Sequence, residues 1–139
     1  PSLVEELQKE YSYIYATRFF NKPGSFYRTL IKWERFDKDS EEFDLAFVPL
    51  NQTQLIDKSI YTCVNKSFLD ELKNNHINEV HICGIDTDIC VTKCAVDLFE
   101  SGVEPKVLAN YCASHAGVEA HKFALITLAR FIGKGQIIQ

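Results

Sequence analysis

The sequence predicts an α/β protein, a three-layer doubly wound sandwich with a mainly parallel sheet. In the second half of the chain, segments typical of strands alternate with segments typical of helices. Parallel strands need crossover connections, which helices about ten residues long provide, and such sheets are covered on both faces. The chain has 139 residues, of which 46% are hydrophobic. We therefore expect one domain over residues 1–139 with a core of its own.

The first half of the chain carries weaker patterns. Apolar residues at helical spacing after a capping serine predict a helix over 2–12, and the β-rich run that follows predicts a strand over 13–17. Residues 21–25 have turn chemistry and 26–33 have helical spacing. A short strand is predicted over 54–58.

The second half predicts a regular βαβα order. Its elements are a helix over 67–75, a strand over 79–83, a helix over 88–101 that ends at Gly102, a strand over 105–109, a helix over 118–131 that ends at Gly133, and a final strand over 136–138.

Charge and hydropathy exclude several classes of partner. Fifteen Lys and Arg against nineteen Asp and Glu give a net charge of −4, without the basic stripe that binds a phosphate backbone. No apolar run approaches the roughly 20 residues of a membrane span. The acidic amphipathic start does not resemble a signal peptide. We expect a soluble, cytoplasmic protein with no nucleic-acid or membrane partner.

Cysteine usage favours reduced thiols and no metal. There are five cysteines, an odd number, and three of them fall within one strand–helix unit. A structural zinc site needs a closely spaced pair of ligands together with a second pair, whereas the cysteines from Cys83 onward are seven, four and eighteen residues apart. We assign Cys63, Cys83, Cys94 and Cys112 to packing.

Cys90 is the candidate nucleophile. It lies on the first turn of the helix predicted over 88–101, just after a strand. Backbone N–H groups at a helix start have no intrahelical partner, and the helix dipole adds positive potential there. That field favours the thiolate, which is the attacking form. Alternatively, Cys90 is a small buried residue, as cysteine often is.

Lys58 is the candidate partner of Cys90. It closes the strand at 54–58, and functional residues of parallel sheets gather at the carboxyl ends of strands. Both side chains are therefore expected to face one crevice, where an ammonium group would favour a thiolate. The alternative for Lys58 is a solvated surface position.

Two motifs resemble the isochorismatase-like cysteine hydrolases. The stretch from Gly84 through Asp88 to Cys90 and Val91 is similar to that family's Gly-Val-x-Thr-Asn/Asp-x-Cys-Val motif, and the stretch from Lys58 to Val64 resembles its Lys-x-x-Tyr-Ser-x-Phe segment. The resemblance implies the strand order 3-2-1-4-5-6 and an Asp-Lys-Cys triad that hydrolyses C–N or related bonds of small molecules, with Cys90 as nucleophile and Lys58 as the lysine. It also implies a homodimer or higher homo-oligomer. No cofactor is required.

The resemblance further implies a non-proline cis peptide bond between Ile85 and Asp86. The N–H groups that follow it, together with that of Cys90, would form an oxyanion hole. Phe19 and Tyr61 are candidates to wall an apolar substrate pocket, although aromatic side chains at such spacing are more often core.

Two departures from the family pattern bear on activity. No residue matches the family's catalytic aspartate on a first strand, since Asp44 and Asp57 lack its setting. That strand would lie between those predicted over 13–17 and 79–83, so we hypothesise that a segment of about 30 residues, one βαβ unit, is missing. The chain begins with proline and has no methionine, which agrees with that view. The alternative is a degenerate, catalytically inactive binding or regulatory module.

The second departure concerns metal. Phe19 and Asn21 occupy the places of the Asp-x-His through which nicotinamidases of this family bind a metal, so the sequence disfavours a metal-dependent nicotinamidase. Around Cys90, Asp88 is expected to cap the helix. His115 follows the strand at 105–109 and could reach the crevice, but a loop or helix-cap position is the favoured interpretation. A redox role for Cys90 with Cys94 is a weaker alternative, because residues four apart on a helix do not form an unstrained disulfide.

Overall fold

The computed structural model describes residues 2–139 as a mixed α/β protein. Its helices and strands are α1 (Ser2–Leu7), β1 (Tyr15–Phe19), α2 (Phe26–Thr29), β2 (Gln54–Lys58), α3 (Lys66–Asn74), β3 (Glu79–Ile85), α4 (Thr92–Glu100), β4 (Glu104–Ala113), α5 (Val118–Ile132) and β5 (Ile137–Ile138). A π-helical turn, Thr87–Val91, leads into α4. The βαβα order predicted for the second half is confirmed.

All strand pairing among the described residues is parallel, which confirms the predicted sheet type. β1 pairs with β2, and the register sets Phe19 opposite Lys58 at the carboxyl ends of both strands. A separate sheet has the order β3-β4-β5. The neighbours within each sheet agree with the order 3-2-1-4-5-6, but a further strand that would join the sheets stays a prediction.

The first half of the chain departs most from the expected elements. The helix predicted over 2–12 is α-helical only as far as Leu7, and a 3-10 turn, Gln8–Glu10, follows it. Gln8 is buried, and its side-chain amide donates to the carbonyl of Val48 and accepts from the N–H of Leu50. Those contacts with a distant loop bury a polar residue and satisfy its side-chain amide.

The helix predicted over 26–33 is a single turn. Ser25 caps α2 by accepting a hydrogen bond from the N–H of Arg28, and the helix ends at Thr29. Lys32 then has a φ of 61° and Phe36 a φ of 68°, values in the left-handed region that end any helix. The aromatic contacts described below stabilise this irregular path.

The chain divides into two compact units, one ending at Ile60 and the other comprising Tyr61–Gln139. In the second unit, β4 packs against α4 and α5 on a core formed by Val91, Ala95, Val107, Leu128 and Ile132, each no more than 4% exposed. The first unit holds β1, β2 and the short helices α1 and α2. The single-domain organisation stays a prediction.

Candidate active site

The segment from β3 to α4 presents Cys90 on a turn of unusual backbone geometry. Gly84 has a φ of 127°, a value that residues other than glycine rarely adopt. The β3–β4 register shifts between Ile82 and Gly84. The Ile85–Asp86 peptide bond is cis, at the position that the resemblance indicates. The chain then enters the π-helical turn, so Cys90 lies at a helix start as predicted.

Backbone hydrogen bonds hold this turn. The N–H groups of Ile89 and Val91 both donate to the carbonyl of Asp86, each at 3.1 Å. The hydroxyl of Thr92 donates to the carbonyl of Thr87 at 2.6 Å. Val91 is buried in the core, whereas Cys90 beside it is half-buried. The turn is thus fixed on one side and leaves its thiol partly accessible.

Two histidines contact the residues that follow the cis bond. Thr87 is fully buried, and its hydroxyl lies 2.8 Å from Nδ1 of His121 on α5. Oδ1 of Asp86 accepts from the N–H of His115 at 2.9 Å and lies 2.8 Å from His115 Nδ1. These contacts tie the turn to α5 and to the loop after β4. Sequence reasoning missed them, because the partners lie 34 and 29 residues apart and no local pattern links them.

The expectation that Asp88 caps the helix is wrong. The N-cap position of the π-helical turn belongs to Asp86, and Asp88 lies inside the turn. Within residues 2–139, Oδ1 of Asp88 is a buried oxygen with no hydrogen-bond partner. The residue Asp88 also lines a hollow of about 320 Å³, together with Thr92 and, on α5, Phe123.

All five cysteines are present as thiols in this structure. Burial raises the pKa of Cys83 on β3. Burial also raises the pKa of Cys112 to about 12, with a smaller contribution from the nearby Cys83. A raised pKa suppresses the thiolate, so these two cysteines are poor nucleophiles at neutral pH.

Lys58, in the first unit, is buried and not a solvated surface lysine. It is 8% exposed, and its ammonium donates to the carbonyl of Ile60 at 3.2 Å. The Nζ atom lies 5.6 Å from the centre of the Phe19 ring, within range of a cation–π interaction. The crevice predicted to unite Lys58 with Cys90 stays a prediction.

Phe19 belongs to an aromatic cluster in the first unit. Its ring stacks on Trp33 at a centroid distance of 5.4 Å and meets Tyr27 and Phe36 edge-on. Asn21 is 2% exposed and donates from Nδ2 to the carbonyl of Trp33, while its Oδ1 accepts from the hydroxyl of Ser25. Asn21 therefore has a structural role in holding the loop that carries Trp33.

Asp57 and Tyr61 are the remaining candidate residues. Asp57 pairs with Arg18 through two hydrogen bonds of 2.8 and 3.2 Å, a structural ion pair. Tyr61 is half-buried in the second unit. Its carbonyl lies 4.0 Å from the sulfur of Cys94.

Over residues 2–139, no cluster of three His, Cys, Asp or Glu side chains is placed to hold a metal ion. None of the helices in that range has the length and apolar character to cross a bilayer.

The family model of the isochorismatase domain matches residues 3–135. This protein belongs to the isochorismatase domain family. Isochorismatase family protein 1A of Dictyostelium discoideum is 30% identical over 90 residues, which make up 63% of this chain. The same match covers 42% of that relative, so the aligned part spans less than half of its length.

Solved structures show the same fold. An isochorismatase-like hydrolase from Alkaliphilus metalliredigens superposes with a TM-score of 0.82 at 16% identity, over 99% of this chain and 80% of that one. A nicotinamidase from Bacillus subtilis superposes with a TM-score of 0.81 at 22% identity, over 99% of this chain and 81% of that one. The isochorismatase-like α/β fold is therefore confirmed.

Proposed function

We propose that this protein is a cysteine-dependent hydrolase that cleaves a small-molecule amide or related C–N bond without a metal. Cys90 attacks the carbonyl or imine carbon and forms a thioester-type covalent intermediate, which water then hydrolyses. The observation that carries the proposal is the position of Cys90, half-buried on the helical turn that follows the cis Ile85–Asp86 bond.

The other thiols of the unit support the choice of nucleophile. Cys83 and Cys112 lie in strands where burial raises their pKa, so they stay protonated. Cys90 lies instead at the start of a helix, where the dipole and the backbone N–H groups favour negative charge by about 0.3–1 kcal/mol. A thiol that attacks carbon must be deprotonated, so it needs an environment such as this helix start, which favours the thiolate.

The remaining roles follow from the family resemblance. Lys58 keeps the thiolate charged and positioned, and backbone N–H groups near Asp86 and Cys90 stabilise the oxyanion. Phe19 and Tyr61 contribute to the apolar wall of the substrate pocket. The acid of the triad accepts the thiol proton and later activates water, and we assign it to a segment outside this chain. We further propose a cytoplasmic protein that works as a homodimer or higher homo-oligomer.

Amide hydrolysis tests the proposal directly. Ammonia release would be measured with protein that includes the segment carrying the proposed acid, for a panel of small primary and carbamoyl amides beginning with nicotinamide, in the presence and absence of a chelator. We expect a rate that Cys90→Ala and Lys58→Ala abolish and that the chelator leaves unchanged. Cys83→Ala is the matched control, since it removes a thiol of the same unit. A rate that survives Cys90→Ala would refute the cysteine mechanism.

Thiol reactivity distinguishes an enzyme from the inactive binding or regulatory module. Peptide mapping after timed exposure to iodoacetamide at neutral pH gives the alkylation rate of each cysteine in the folded protein. We expect Cys90 to react first and Cys112 last. If Cys90 is alkylated no faster than Cys63, the inactive binding or regulatory module is favoured, because a catalytic cysteine is expected to be more reactive than an ordinary thiol.

A further inference from the structure

The sulfur atoms of Cys63 and Cys94 lie 3.8 Å apart, although the residues are 31 positions apart in the chain. Both belong to the second unit. Cys94 is on α4, one helical turn after Cys90, and Cys63 lies in the irregular segment between β2 and α3. The proposed catalytic mechanism uses neither thiol.

We propose that Cys63 and Cys94 form a reversible disulfide that fixes the Tyr61–Val64 segment to α4. The sulfurs of a disulfide are about 2.05 Å apart, so they must approach by roughly 1.8 Å from their present distance. That closure requires side-chain rotation and a shift of one partner.

The shift falls on the side of Cys63. Cys94 is 9% exposed, and its neighbours Ala95 and Leu98 are 0% and 2% exposed, so close packing holds α4 in place. The segment over residues 61–64 forms no helix or strand and is half-buried. It is followed by Asn65, which caps α3 by accepting a hydrogen bond from the N–H of Phe68. A short irregular segment before a capped helix can move without loss of secondary structure.

Other cysteine pairs are less suited to oxidation. Cys90 and Cys94 are four residues apart at the start of a helix, a geometry that strains a disulfide. Cys83 is close enough to Cys112 to contribute to its raised pKa. Burial, however, raises the pKa of both thiols and so suppresses the thiolate that starts exchange. The half-buried Cys63, beside a sulfur already within 4 Å, meets the requirements of access and proximity.

The chemistry is thiol–disulfide exchange with a small-molecule disulfide such as oxidised glutathione. The thiolate of Cys63 attacks one glutathione sulfur, a mixed disulfide forms, and the first glutathione leaves as a thiolate that takes up the proton lost by Cys63. The thiolate of Cys94 then attacks the sulfur of Cys63 and releases the second glutathione, which takes up the proton of Cys94. Two protein thiols are oxidised by two electrons in total, and one glutathione disulfide is reduced to two thiols.

The disulfide would restrain Tyr61, whose carbonyl already lies 4.0 Å from the Cys94 sulfur. That consequence for substrate binding depends on the proposed function, whereas formation of the bond does not. Oxidation would thus link the cellular thiol balance to the segment that carries a proposed substrate-binding residue.

The test is disulfide mapping on the intact chain in the Cys90→Ala background, which removes the competing thiol. The protein is equilibrated in glutathione buffers of increasing oxidised fraction, quenched with an alkylating reagent and digested. We expect a linked peptide pair that joins Cys63 to Cys94, with the loss of two hydrogen atoms and full reversal by dithiothreitol. Cys63→Ser should abolish it, and the matched control Cys83→Ser should retain it.

Hydrogen exchange gives a second measurement on the same samples. Oxidation should slow amide exchange over residues 61–65 and leave β4 unchanged. If both thiols remain fully alkylatable in the most oxidising buffer, or if Cys63 stops at the mixed disulfide, the proposed bond is refuted. A bond that forms without slowing exchange would refute its effect on the segment. Neither readout requires amidase activity, so failure here is distinct from failure of the proposed hydrolase.

Discussion

Replacement of Thr87 by valine should destabilise the protein, because the contact between Thr87 and His121 holds the Thr87–Val91 turn on α5. Thr87 is fully buried, and its hydroxyl lies 2.8 Å from His121 Nδ1. Valine keeps the branched shape and nearly the same volume, so packing changes little. The substitution removes one hydrogen bond and leaves a polar nitrogen without its partner, a cost of about 1–3 kcal/mol. The bond from Thr92 to the Thr87 carbonyl is retained, since it uses the backbone.

Urea unfolding measures this cost. With a slope of about 1–3 kcal/mol per molar urea, a loss of about 2 kcal/mol lowers the midpoint by roughly 1 M. Thr127→Val is the matched control, because Thr127 is an exposed threonine on α5, and it should change stability by less than about 0.5 kcal/mol.

A double-mutant cycle with His121→Ala isolates the contact. The two single changes should be coupled by about 0.5–3 kcal/mol, since each removes the partner of the other. If Thr87→Val matches Thr127→Val, or if the coupling is zero within error, the hydrogen bond does not stabilise the turn and the reasoning is refuted.

Three further predictions concern the core, the first unit and thiol titration. Leu128→Ala, at a fully buried position of the second unit's core, should lower the free energy of unfolding by about 2–5 kcal/mol in the same urea assay, and a cost under 1 kcal/mol would contradict the packing described. Asn21→Ala should cost about 1–3 kcal/mol because it leaves the carbonyl of Trp33 without its donor; an unchanged Trp fluorescence midpoint would contradict it. The alkylation rate of Cys112 should rise about tenfold per pH unit from about pH 7 to about pH 10, because its pKa is raised to about 12 and the thiolate fraction grows throughout that range. A plateau in mass-spectrometric rates below pH 10 would place that pKa lower.

Local pattern predicted the second half of the fold well. The strand over Gln54–Lys58, the start of α5 at Val118 and the order of elements from α3 to β5 agree with the sequence prediction. Helices and strands with strong apolar periodicity and terminating glycines can be predicted from the sequence, because these signals lie within the element itself. β4 extends to Ala113, beyond the predicted 105–109, because pairing with β3 continues past the register shift to Ile85.

The candidate site was predictable only in part. The motif around Cys90 predicted that this residue lies at a helix start, and the cis bond lies where the resemblance placed it. The neighbours of that turn were not predictable, because His115 and His121 reach it from elements distant in sequence. The incorrect capping role of Asp88 has the same origin, since residue type at a helix start indicates a cap but does not show whether the side chain reaches an N–H group.

The sequence by itself determined the α/β class, the position of Cys90 at the start of a helix and the family to which the chain belongs. These depend on residue type and spacing along the chain, which fix local conformation. The tertiary structure alone decided that Lys58 is buried, that Thr87 and Asp86 meet histidines, and that Cys63 lies 3.8 Å from Cys94. Burial and proximity depend on how distant segments pack, and one residue's neighbours in sequence carry no information about that packing.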